Sequence, residues 1–208
     1  MIADSEALAN EILAQRLTSL GLPTTRDESL ACYMGRRWPE VMALAEQKLG
    51  RPLPEDFSEQ THLATLAHFR NDLREVSGAS AFLRRHGHLP RCIASSSSME
   101  RLTLCLALLG LEKEFAGRVF SADLVTRGKP HPDIFLYAAT EIGAPPEACL
   151  VIEDSPSGVM AGKAAGMTVI GLCAGAHIRD GHAHHLRDAG ADHIAHDWKD
   201  VAALISAA

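Results

Sequence analysis

The 208 residues carry 20 Lys and Arg against 26 Asp and Glu, a formal net charge of −6 and a pI near 6.0, with 47% hydrophobic and 22% charged residues. Such a length holds one sizeable domain, or a core with a smaller one inserted, and the acidic balance excludes general binding to nucleic acid or an anionic membrane, which needs a basic face. No apolar run approaches the ~20 residues of a membrane helix, no basic n-region with an apolar core marks a secretory signal, and the five cysteines (Cys32, Cys92, Cys105, Cys149, Cys173) show no C-x-x-C pair, so they read as buried free thiols of a reducing cytoplasm.

The chain opens MIADSEALAN. Asp4 or Ser5 can cap the first free N–H groups of a helix, and Glu6 suits the positive end of its dipole. Leu8, Ile12, Leu13, Leu17 and Leu20 then recur at the spacing of one helical face. The helical texture continues to about Val76. LAEQKLG ends a helix at Gly50, Pro52 and Pro54 break the chain, and HLATLAHFRNDL resumes the period. From Ser77 short apolar runs alternate with helices. RCIAS (91–95), RVFSA (118–122), CLVIE (149–153) and MTVIGL (167–172) read as strands, with HIA (193–195) as an edge strand. MERLTLCLALLGL (99–111), PDIFLYAATEIG (132–143) and GVMAGKAAG (158–166) read as the helices between them. Strands alternating with helices predict an α/β fold: a parallel, Rossmann-like sheet with helices on both faces, beside an all-helical segment.

Ligands of open parallel sheets bind beyond the carboxyl ends of the strands, so chemistry is sought there. CLVIE is followed by Asp154-Ser155-Pro156-Ser157-Gly158, and the adjacent carboxylates Glu153 and Asp154 suit a hard cation such as Mg²⁺. The competing reading is that Asp154 or Ser155 only caps the next helix. RCIAS runs into Ser96-Ser97-Ser98, where hydroxyls and free N–H groups at a helix start can bind an anion; taken alone it is a polar loop with a Ser cap. After the 118–122 strand, Lys129 stands before Pro130 and Pro132. A held Lys neutralises phosphate or a neighbouring carboxylate, whereas most lysines are solvated. His131 reads as a turn residue. The six His between His177 and His196 include His182, His184 and His185, which match no metal spacing well and read as surface.

Ser, then Lys, then an acidic pair, each just beyond a strand, resembles the haloacid dehalogenase superfamily in its branch with an early helical cap, similar to β-phosphoglucomutase-like phosphatases. GKPHPDIF (128–135) and VIEDSPSGVMAGKAAGM (151–167) carry the resemblance, with IASSS (93–97) in support. It implies a core of residues 1–6 and 76–208 and a cap of 7–75. It implies that Ser95 hydrogen-bonds the transferring phosphoryl group with the Ser96 backbone beside it, that Lys129 neutralises phosphate, and that Asp154, helped by Glu153, binds Mg²⁺. The partner implied is a small phosphorylated metabolite, with no nucleic acid and no membrane; the oligomeric state is not fixed by the sequence, and a monomer is compatible with it.

Family members begin with an apolar strand ending D-x-D-G-x-x-x-D-S-E, and Met1-Ile2-Ala3-Asp4-Ser5-Glu6 aligns with its last six residues. The D-x-D, which supplies the nucleophile and the general acid/base, has no counterpart here, and neither has the central first strand. The expectation is a start set too late, with the nucleophilic Asp upstream of Met1. In the cap, Tyr33-Met34-Gly35-Arg36-Arg37-Trp38 is the expected substrate loop: Arg36 and Arg37 to clamp distal anionic or hydroxyl groups, Trp38 to stack on a sugar, or else a solvated Arg pair and a core Trp. The resemblance implies a phosphatase of small phosphate esters. A sugar phosphomutase is a weaker fit, because Trp38 and Ser98-Met99 stand where mutases carry Arg and Lys-Asn. A non-catalytic phosphate- or partner-binding protein is the remaining alternative.

Overall fold

The computed structural model describes residues 1–206. They form two compact units, one of Asp4–Arg74 and one of Met1–Ala3 with the residues from Glu75 onward.

The first unit is helical: α1 (Ser5–Ser19), α2 (Arg26–Tyr33), α3 (Trp38–Leu49) and α4 (Phe57–Asp72). Its core joins Leu13, Leu17, Tyr33, Val41, Ala45, Leu53 and Phe57. The start of α1 falls where the sequence places it, but the Asp4 side chain makes no capping hydrogen bond. The buried stripe of α1 is Ala7, Asn10, Leu13, Ala14 and Leu17, while Leu8, Ile12 and Leu20 stay half-buried. A polar residue can sit in that stripe because Asn10 donates to the Glu6 carbonyl (3.0 Å) and accepts from the Ser29 hydroxyl (2.9 Å). Helix α2 opens with a full capping box between Thr25 and Glu28. Helix α3 stops at Gly50, whose φ of 72° needs glycine.

The second unit runs α5 (Ala79–Arg85), β1 (Ile93–Ser95), α6 (Met99–Leu109), β2 (Val119–Ser121), α7 (Asp133–Glu141), β3 (Leu150–Glu153), α8 (Pro156–Ala164), β4 (Thr168–Leu172), α9 (His182–Asp188), β5 (His193–Ala195) and α10 (Trp198–Ser206). All strand pairs are parallel. The α/β class therefore stands as read, and each expected strand is present, four of them trimmed by one or two residues and 193–195 as expected. Helices α5 and α9, seven residues each, and α10, nine residues, are additions to the helices expected from the sequence.

The strands lie in two ladders, β1–β2 and β3–β4–β5. Successive residues of a strand face opposite sides, and the core follows that alternation. Val151 and Val169 join the apolar cluster that includes residues of α7, α8 and α9. Ile152, Ile170 and Leu172 join the cluster with Ala79 of α5 and Trp198 and Val201 of α10. The ladder is thus covered on both faces. Among the described residues β1 and β3 each have one paired neighbour, so no strand stands between the ladders. Ile2 packs against the clusters on both sides of that division.

Of the five cysteines, all free, only Cys105 is buried; the other four are half-buried, short of the burial expected. Among the described residues no helix is long and apolar enough to cross a membrane.

Candidate active site

The carboxyl ends of β1 and β3 belong to separate ladders, and one side chain joins them. Lys129 Nζ hydrogen-bonds the Ala94 carbonyl of β1 (3.4 Å) and pairs with Glu153 Oε1 at the end of β3. It also lies 4.7 Å from the centre of the Phe135 ring. The Lys129 side chain is 7% exposed, as is that of Glu153, so the solvated reading of this Lys fails. The loop that carries it is braced by Arg127, which grips Asp133 through Nε (3.1 Å) and Nη2 (2.8 Å), and the Lys129–Pro130 peptide is cis.

Glu153 has little freedom left. Its Oε2 accepts from the backbone N–H groups of Asp154 (3.2 Å) and Ser155 (3.3 Å) and from the Ser155 hydroxyl (3.1 Å). An anion at the first turn of α8 suits the free N–H groups there. Gly158 makes the space: a Cβ at 158 would lie 2.2 Å from Glu153 Cδ. Both Glu153 oxygens are thus engaged with Lys129 and the α8 start, which leaves Asp154 as the carboxylate available to a cation.

Ser155 caps α8, accepting from the Gly158 N–H (3.1 Å), so Asp154 is released from capping. The Asp154 side chain is 16% exposed, and its Oδ2 lies 3.2 Å from the Met1 ammonium and 3.6 Å from His177 Nε2. Burial pushes its carboxyl up. The Met1 ammonium, His177 and Lys129 outweigh that and hold it below the ordinary carboxylate value. Asp154 is therefore an ionised oxygen donor just beyond the carboxyl end of β3. Among the described residues no three His, Cys, Asp or Glu side chains converge to hold an ion. One carboxylate fits Mg²⁺ nonetheless, since Mg²⁺ keeps several waters and takes one or two carboxylates plus phosphate.

At the end of β1 the Ser95 hydroxyl accepts from the Ser97 N–H (3.2 Å) and turns the chain, while Ser96 is exposed. The fully buried Ser121, paired in register with Ser95, donates to the Ser97 carbonyl (2.8 Å) or to Asp123 Oδ2 (2.8 Å). Asp123 in turn accepts from the Met99 N–H at the start of α6 (3.4 Å). The serine loop is thus held from the β2 side. Lys129 joins Ala94 and Glu153 at the strand ends of one unit, where Ser95 and Asp154 are the residues next in the chain.

Arg36 and Arg37 lie in the helical unit, both exposed, with Arg36 Nε donating to the Cys32 carbonyl (2.8 Å). Trp38 stacks on Phe57 (centroids 6.5 Å, 6° between planes) and donates to the Ser58 hydroxyl (2.7 Å). Two of the histidines that read as surface are not: His177 and His182 are buried against Asp154, the latter through a 2.7 Å hydrogen bond from Nε2 to the Asp154 carbonyl. Their one signal is position, since they follow the carboxyl end of β4; His184 is exposed, as expected.

Residues 6–166 match the family model described as haloacid dehalogenase-like hydrolase. The chain is 39% identical over 169 residues to fructose-1-phosphate phosphatase YqaB of Escherichia coli, with 81% of this chain and 89% of that protein covered. It is 31% identical over 174 residues to the bifunctional riboflavin kinase/FMN phosphatase of Arabidopsis thaliana, covering 82% of this chain and only 45% of that one. A conserved haloacid dehalogenase-like protein of Agrobacterium tumefaciens superposes with a TM-score of 0.86 at 34% identity, covering 99% of this chain and 93% of that one. A Deinococcus radiodurans HAD family hydrolase with bound phosphate and sodium superposes at 0.80 with 31% identity, covering 99% and 91%. On the family model over residues 6–166 and on these relatives, the chain belongs to the haloacid dehalogenase-like hydrolase family.

Proposed function

We propose that the chain is the phosphate-handling body of a Mg²⁺-dependent phosphatase that hydrolyses a small phosphorylated metabolite, a sugar phosphate by preference. The observation that carries this reading is Lys129, a buried ammonium spanning the ends of β1 and β3 beside Ser95 and Asp154. Phosphoryl transfer depends on positioning and on neutralising negative charge. The Ser95 hydroxyl and the Ser96 N–H would receive phosphoryl oxygens. Lys129 would offset their charge, and Glu153 fixes its ammonium in place. Asp154 would hold Mg²⁺, which when bound supplies further positive charge to the phosphate. The nucleophile would be the first Asp of the family's D-x-D, which has no counterpart among residues 1–208. Its carboxylate oxygen would attack phosphorus as the substrate's ester oxygen leaves, and water would then release the phosphate and free the Asp. The name of the fructose-1-phosphate phosphatase, and the phosphate in the Deinococcus structure, support the substrate class. On this reading 7–75 is the cap that helps choose the substrate, and Arg36 and Arg37 are its candidate contributors.

The test is phosphate release from fructose 1-phosphate, 6-phosphogluconate and FMN, with Mg²⁺ or with EDTA. It is run on the 208-residue chain and on the chain extended by the codons upstream in frame. The expected result is Mg²⁺-dependent release by the form carrying D-x-D, abolished in Asp154→Asn and Lys129→Ala. No release from any ester by a folded form carrying D-x-D overturns the proposal.

A further inference from the structure

The segment after β4 reaches back to Asp154 with two imidazoles. His177 Nε2 stands 3.6 Å from Asp154 Oδ2, and its side chain is 3% exposed. His182 Nε2 donates to the Asp154 backbone carbonyl at 2.7 Å, since a carbonyl only accepts. The two rings meet edge to face, 6.3 Å apart at 89°. His177 Nδ1 is buried and has no hydrogen-bond partner. A buried polar atom left without a partner costs about 1–3 kcal/mol. A ring that accepts that cost while its other nitrogen faces a carboxylate is placed for the carboxylate. His182 does the complementary task, fixing the peptide from which that carboxylate springs. Glu153 and Ser155, the chain neighbours of Asp154, are tied to Lys129 and to the start of α8, and the two imidazoles hold Asp154 from the segment after β4.

We propose that His177 and His182 are positioning residues for Asp154, setting the direction in which its carboxylate meets a divalent cation. The inference rests on the reading of Asp154 as the cation-binding carboxylate. Groups that orient a ligating side chain change metal affinity by about 10–100-fold when removed. A packing role alone would change stability instead.

The experiment measures Mn²⁺ affinity by electron paramagnetic resonance, in the presence of inorganic phosphate and well below the unfolding temperature of each variant. The proteins are the full chain, His177→Ala, His177→Gln, His182→Ala, Asp154→Asn and the His177→Ala/Asp154→Asn double variant. His177→Ala and His182→Ala are expected to weaken Mn²⁺ binding by about 10-fold or more. His177→Gln, whose amide N–H can still reach a carboxylate, is expected to recover part of that loss and covers the case in which the Ala variant does not fold. The double variant should bind no more weakly than Asp154→Asn. Full-chain affinity in both folded His variants, with weakened binding in Asp154→Asn, overturns the inference and leaves the phosphatase reading standing. Unchanged affinity in Asp154→Asn itself removes Asp154 as the ligand, and the inference falls with it.

Discussion

Lys129 and Glu153 are opposite charges, each with only 7% of its side chain exposed. Removing one partner of such a pair leaves an uncompensated buried charge at a cost of about 3–5 kcal/mol. Lys129→Met is therefore expected to lower Tm by about 6–20 °C, at ~2–4 °C per kcal/mol for a chain of this size. Adding Glu153→Gln should return part of the loss, because the stranded carboxylate is gone; an unchanged Tm in Lys129→Met would contradict the buried pair. Gly158 gives a second prediction. A methyl group there would meet Glu153 Cδ at 2.2 Å, so Gly158→Ala must displace Glu153 or the α8 start. Such overpacking costs about 1–3 kcal/mol, and thermal unfolding should show it. At this scale the sequence is uneven as a guide. Lys129 is legible because it follows a strand and precedes prolines. Its partnership with Glu153, 24 residues on, is not, and nor is the commitment of Glu153 to the α8 amides that leaves Asp154 to face a cation. His177 and His182 were hidden for the same reason, since only folding brings residues 23 and 28 positions away against Asp154.

Elements were legible where periodicity was strong. Apolar runs marked every strand of the second unit, and glycine marked the end of α3. Helix α8 starts at Pro156, two residues before the 158 expected, with Ser155 as its cap, one of the two caps the sequence offered, and Pro156 at the first position. The stripe of α1 was misread because Leu and Ile were given priority over alanine and over Asn10, whose polar groups are satisfied locally. Between elements, Asp192 is a clamp no periodicity reveals. Lys163 Nζ of α8 reaches both its oxygens at 2.7 Å, and the Val169 N–H of β4 donates to Oδ2 at 2.8 Å. Burial pushes the Asp192 carboxyl up, but Lys163 and the Val169 N–H outweigh it and hold it below the ordinary value. A carboxyl depressed on folding stabilises above its unfolded pKa of about 3.9, and that stability is lost as pH falls through the lower folded value. Asp192→Asn is expected to cost on the order of 1 kcal/mol near neutral pH, discounted for a side chain about a third exposed. The difference from the parent should shrink to nothing in unfolding measurements below that range. A difference independent of pH would show that the carboxylate charge is not what holds α8 to β4.

Across the whole chain the decisive feature is the division of the strands. The expected absence of a central strand left open whether 91–95 and 149–153 would pair with each other or stand apart, and they stand in separate ladders. The sequence did not reveal how the division is held, because Ile2, Lys129 and Ala94 come together only in three dimensions. The two ladders differ in support. Strand β4 is paired on both sides, and Val169, Ile170 and Leu172 are buried beneath covering helices. Strand β1 has one neighbour, three residues of pairing, and none of those residues fully buried. A two-stranded pairing is marginal without other packing, and local opening follows buried contacts and backbone pairing. Native-state hydrogen exchange should therefore rank the amides of β4 as the slowest in this unit. Those of β1 and β2 should exchange at lower opening free energy, before global unfolding. Lys129→Met should widen that gap, since it removes the side chain that ties β1 to β3. Equal protection of β1 and β4 would mean that the division has no energetic consequence and that the second unit opens as one. Selective loss at β1 would place the weakest part of the unit at the serine loop, the segment proposed to receive the phosphoryl group.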